Sequence, residues 1–76
     1  MEDIISYISI NPDIRSGKPA ITGTRITVGD ILGWLASGMT TEEILYDYPP
    51  LEDIHIRAAL YFAAHREAVI KTITAA

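Results

Sequence analysis

The chain has 76 residues, no cysteine, 49% apolar residues and a formal net charge of −4. So short a chain forms one domain burying only about 60% of its unfolded surface, and without thiols no disulfide or thiolate metal site can supplement that core. No apolar run nears the roughly 18 residues of a membrane span and no signal-peptide pattern opens the sequence, so a cytoplasmic protein with no membrane contact is expected.

The run from Ile4 to Ile10 is β-branched with one aromatic, and Tyr7-Ile8-Ser9-Ile10 alternates as a short strand before Asn11-Pro12 ends it. Residues 17–28 then read as strand, tight turn, strand and helix entry, with Ala20-Ile21-Thr22 as the first of those strands. Gly23 stands where the chain must reverse between two apolar positions, a place that positive φ reserves for glycine. Strands this short cannot form a stable sheet alone, so they must lie on a helix or pair with another chain.

Thr27 is a good N-cap with Asp30 three residues on, and Gly38 stops the first helix as a left-handed residue. Val28, Ile31, Leu32 and Leu35 share its apolar face, and Trp34 falls off that face, free to cover the small sheet or to meet a partner. Gly29 and Gly33, four apart, either let a neighbouring backbone come close or are simply poor helix formers. Thr40-Thr41-Glu42-Glu43 is a capping box that starts a second helix carrying Ile44, Leu45 and Tyr48, and Pro49-Pro50 ends it.

The third helix is expected over 52–72, roughly 30 Å long. A helical wheel places Ile54, Ala58, Tyr61, Phe62, His65 and Val69 on one face and Ile56, Ala59, Leu60, Ala63 and Ile70 on the other. A surface helix needs only one apolar face, so one side should meet its own domain and the other a second copy. Ile56, Leu60, Ala63 and Ile70 are the expected dimer interface. The high apolar content of so small a chain points the same way.

Charge is unevenly spread. Residues 28–51 carry only acids (Asp30, Glu42, Glu43, Asp47), while residues 13–27 hold Arg15, Lys18 and Arg25 against Asp13. An acidic chain repels nucleic acid at long range, so DNA contact would need that local patch. Arg15, Lys18, Arg25 and, on the third helix, Arg57 are the candidate binding residues for DNA or for a partner. The alternative for Arg25 is structural, as an internal ion pair or a cap on carbonyls. Ser16-Gly17-Lys18-Pro19 is no phosphate loop: it lacks the earlier glycine, and proline replaces the magnesium-holding hydroxyl and removes an N–H donor. His55 and His65 lie on different faces and make no metal pair, His65 being expected partly buried. With no nucleophile–base pair or carboxylate dyad, neither an enzyme nor a cofactor is expected.

Gly17-Lys18-Pro19, Ile21, Gly23-Thr24-Arg25-Ile26, Val28, Gly38, Glu43-Ile44, Tyr48-Pro49, Leu51 and Ala58-Ala59-Leu60-Tyr61 together resemble the domain of unknown function 433 family. The resemblance implies a mainly α fold: a three-helix, helix-turn-helix or homeodomain-like domain behind a short N-terminal β arm. It would be a single domain over 1–76, with arm and turn in 1–26 and helices over 27–37, 40–48 and 52–72. It also implies an antitoxin-like role beside a nuclease-like toxin of PIN-domain type. Two departures stand out. Ser16 takes a place the family usually gives to glycine or another small residue, and Glu52-Asp53 replace a capping threonine, so Asp53 is expected to cap the third helix. The functions to be weighed are therefore a non-enzymatic antitoxin that binds its partner, a DNA-binding autorepressor, and a structural or assembly module. By electrostatics the second helix suits a basic protein better than phosphate.

Overall fold

The computed structural model describes residues 3–66. Asp3 shapes the first element: its Oδ1 accepts from the Ile5 N–H at 3.0 Å and caps a 3-10 turn at Ile4–Tyr7. The strand within the apolar run is therefore only Ile8–Ser9, β1. It pairs antiparallel with β2, Ala20–Ile21, in the register Ile8 opposite Ile21 and Ser9 opposite Ala20. So small a sheet is stable only against something else, and Ile8 and Ile21 are both buried beneath the helices.

After β2 the chain turns at Gly23, whose φ of 83° suits the third position of a type II turn closed by Thr24 N–H to Ile21 O at 3.0 Å. The expected second strand shrinks to a single bridge between Ala20 and Thr27. Thr27 has another task there, as the N-cap of α1, Val28–Ala36. Its Oγ1 accepts from the Asp30 N–H at 2.9 Å, and the Asp30 carboxylate accepts from the Thr27 N–H at 3.0 Å. At the other end Gly38, with φ 101°, closes a Schellman motif: Met39 N–H donates to Trp34 O and Gly38 N–H to Leu35 O, both at 3.1 Å.

α2, Thr41–Asp47, begins with the Thr40 and Glu43 capping box and stops at Tyr48 ahead of Pro49-Pro50. Trp34, half-buried, stacks on Tyr48 at 4.0 Å between ring centroids and ties α1 to the end of α2. No backbone packs on Gly29 or Gly33. A Cβ would meet nothing within 4 Å at Gly33 and only Thr27 Oγ1, at 3.7 Å, at Gly29.

α3 spans Asp53–Ala64, and its cap is Glu52 rather than Asp53. The Glu52 N–H donates to His55 Nδ1 at 2.8 Å, so an imidazole reaches back where a carboxylate usually does. His55 also meets Tyr7 edge to face at 5.5 Å, which fastens the N-terminal turn to the helix. His65, at φ −125° and ψ 33°, interrupts the regular helix after Ala64, and residues 67–72 of the expected span lie outside those described. The two-faced wheel also fails on the core side. Ile56, Ala58, Ala59 and Phe62 are all buried, so the core takes one broad arc drawn from both expected faces. Ile21, Ile31 and Ile44, one each from the arm, α1 and α2, sit fully buried at the centre. The result is a mainly helical, three-helix fold with a two-stranded antiparallel arm in front of it.

Candidate functional site

The turn at Arg15–Gly17 places the first functional side chain. Arg15, Ser16 and Gly17 have φ of 50°, 60° and 80°, three successive residues in the left-handed region. Only the last is glycine, so the other two carry a steric cost of about 1–2 kcal/mol each. That backbone delivers the Arg15 guanidinium to the start of α1. Its Nη1 donates to Asp30 Oδ2 at 2.9 Å and to the Arg25 carbonyl at 3.0 Å. Partial burial alone would raise the Asp30 carboxyl; the bonds from the Thr27 N–H and from Arg15, with the Arg15 charge, outweigh it and hold Asp30 below its ordinary value. The internal ion pair considered for Arg25 thus belongs to Arg15. Arg25 contributes its carbonyl, and its exposed side chain has no ion pair among the described residues.

Beside this pair lies an open cavity of about 430 Å³, walled by the loop 15–19, the first turn of α1 and the end of α3. Arg15, Lys18 and Arg66 supply its cations. The fold therefore brings Arg15 and Lys18 together. Arg25 and Arg57 stand apart from that lining, both exposed, Arg57 on α3. Arg66 and Asp30 are the members that sequence reasoning did not place here. Asp30 read only as a helix-start acid, because nothing in a linear pattern shows a residue fifteen positions away reaching back to it.

α2 makes a second surface, which shares no residue with that lining. Glu42 and Asp47 are exposed, and Tyr46 between them is 85% exposed. Glu43 is engaged locally: its carboxylate accepts from the Thr40 backbone N–H at 3.0 Å, and hydrogen bonding with Thr40, that bond first, holds it below the ordinary value against a smaller desolvation effect.

On α3, Leu60 is 48% exposed and Tyr61 37%, with Ala63 exposed beside them. Ile56, expected at a dimer interface with these, is only 2% exposed because it packs into its own core. Ile70 lies outside the described residues. His65 is exposed rather than buried, stacked on Tyr61 at 4.3 Å. Among the described residues no group of carboxylates and imidazoles is placed to hold a metal, and no helix is long and apolar enough to cross a membrane.

Comparison with known proteins agrees with this architecture. A crystal structure of a DUF433 member protein from Anabaena variabilis superposes with a TM-score of 0.73 at 29% identity, covering 90% of this chain and 68% of that one. The uncharacterized protein y4eO of Sinorhizobium fredii is 36% identical over 56 residues, 74% of this chain. The match spans only 25% of that longer relative. Residues 8–63, the arm and nearly all of the three-helix unit, match the model of the family described as protein of unknown function (DUF433), and the chain belongs to that family.

Proposed function

We propose that this chain is a non-enzymatic cytoplasmic binding module, an antitoxin-like protein that docks through α2 on the cationic surface of a nuclease-like partner. The observation that carries this reading is the exposed Tyr46 flanked by Glu42 and Asp47, in a stretch from 28 to 51 that holds no cation. Such a surface complements a nucleic-acid-binding cleft, speeds encounter with it and covers it once bound. A homodimer through Leu60, Tyr61 and Ala63 of α3 would present two such surfaces.

The autorepressor reading has a specific support of its own, the exposed cations Lys18, Arg25 and Arg57. It is the weaker of the two. In a helix-turn-helix the first helix of the pair crosses the phosphate backbone, where α2 would bring the acids Glu42, Glu43 and Asp47. The deciding experiment is co-expression with the product of the adjacent gene, followed by affinity measurement on the purified pair. A complex weakened more than tenfold by Tyr46→Ala, and similarly by Glu42→Lys with Asp47→Lys, is the expected result. Glu43 stays in place because it caps α2. Failure to co-purify, or a complex indifferent to these changes, would overturn the reading. Salt-sensitive binding of the upstream duplex, lost on Lys18→Ala with Arg25→Ala, would replace it with the repressor.

A further inference from the structure

We propose that the cavity at the start of α1 binds an organic anion: a carboxylate head carried on an apolar body. The site is separate from the acidic face of α2, and the inference does not depend on the antitoxin reading.

Charge is the first ground. The chain is acidic overall, yet this cavity is lined by three cations, Arg15, Lys18 and Arg66, against the single carboxylate of Asp30. That carboxylate is already neutralised by Arg15 at 2.9 Å. A local reversal of sign in a concave, partly desolvated place concentrates anions there.

Arg15 is the second ground. Its Nη1 is spent on Asp30 and the Arg25 carbonyl, which fixes the guanidinium plane, while Nε and Nη2 have no partner among the described residues. A guanidinium already held in place, with donors left over, binds a carboxylate without paying again for side-chain ordering. The left-handed backbone at Arg15 and Ser16 is the conformational cost of holding it there.

Shape is the third ground. Behind the cations the wall is apolar, formed by Pro19, Leu32 and the buried Val28 and Phe62. A volume of about 430 Å³ lies within the range of small-ligand pockets, and it holds more than a bare inorganic ion needs. An apolar body against this wall with its head at Arg15, Lys18 and Arg66 satisfies both halves. The same chemistry is found in a free amphipathic acid and in the terminal carboxylate of a peptide ending in an apolar residue.

The experiment titrates the full chain with 4-phenylbutyrate, with its neutral amide, and with N-acetyl-Gly-Phe, following backbone amide shifts by NMR. Saturable shifts centred on Lys18, Gly29 and Asp30 are expected for the carboxylates and not for the amide. Lys18→Ala and Arg66→Ala, both at exposed positions, should each weaken binding several-fold and together more than tenfold while the melting temperature holds. Tighter binding of the free acid would assign a small-molecule source, and tighter binding of the peptide a partner's chain terminus. Absence of saturation, equal binding of the amide, or shifts mapping elsewhere would overturn the proposal. Loss of the adjacent gene product's binding would leave it untouched, because that surface lies on α2.

Discussion

Thr27 with Asp30 at the start of α1, and Thr40 with Glu43 at the start of α2, exchange the same two hydrogen bonds, at 2.9 and 3.0 Å in one box and 3.1 and 3.0 Å in the other. Their surroundings differ. Thr27 is 3% exposed, pairs with Ala20 across the arm, and shares its acid with Arg15; Thr40 and Glu43 stand in solvent with no third partner among the described residues. One motif therefore does two jobs. At α2 it only starts a helix, and at α1 it also fastens the arm, the left-handed turn and the cavity wall to the helical unit.

Removing the acid from each box tests that difference most strongly. Asp30→Ala takes away the acceptor for the Thr27 N–H and strands the Arg15 guanidinium. The expected cost is about 2 kcal/mol, the upper end of the range for a lost cap. At about 4–8 °C per kcal/mol for a domain of this size, the melting temperature should fall by roughly 8–16 °C. Glu43→Ala, at an exposed box, should lower it clearly less. Thermal melts of the two variants side by side decide the matter, and equal falls would erase the distinction.

The α2 box and the Thr27 cap were legible in the sequence because capping is local, while Asp30 read only as an acid at the helix start and its return bond to the Thr27 N–H came from the structure. Gly23 and Gly38 were legible for the same reason, each serving a positive φ that its neighbours demand. What escaped was set by contacts between distant residues. The Ile4 to Ile10 run has strand-forming side chains, but Asp3 capping and packing on α3 turn its first half into a 3-10 turn. Ile56 and Leu60 are both large and aliphatic, and only the position of the arm and of α1 decides that one is buried and the other 48% exposed. The candidate site was half visible. Arg15 and Lys18 stood out as cations in an acidic chain, whereas Arg66 joins them only because α3 returns to the start of α1.

Acid titration sharpens the same comparison at smaller amplitude. Both carboxyls are held below their ordinary values, 3.8 for Asp30 and 4.5 for Glu43. The unfolded chain therefore takes up each proton at a higher pH than the folded one. The stabilisation is complete above those ordinary values and is lost as pH falls below them, through the folded-state values. Urea unfolding between about pH 6 and about pH 2.5 should show stability declining on the acid side. Asp30→Asn should flatten that decline, and Glu43→Gln should alter it less because salt and solvent screen an exposed pair. A decline unchanged by Asp30→Asn would mean that the Arg15 pair contributes nothing to it.

The smallest expected effect falls on the turn that positions Arg15. Ser16 sits at φ 60° and ψ 33°, a conformation glycine adopts freely, and it is exposed with no hydrogen bond from its side chain among the described residues. Ser16→Gly should recover about 1–2 kcal/mol of native-state strain. It should lose about 0.4–1 kcal/mol to the greater freedom of glycine in the unfolded chain. The net is a small gain, a rise of a few degrees in melting temperature. Gly23→Ala supplies the sign control. At φ 83°, with nothing within 4 Å of a new Cβ, its cost is backbone strain alone, and the melting temperature should fall. Hydrogen exchange then locates the gain: if the left-handed turn secures the first box through Arg15, Ser16→Gly slows exchange at the Asp30 amide and leaves the Glu43 amide as it was. Equal slowing at both would show that the turn stabilises the whole domain and not the start of α1.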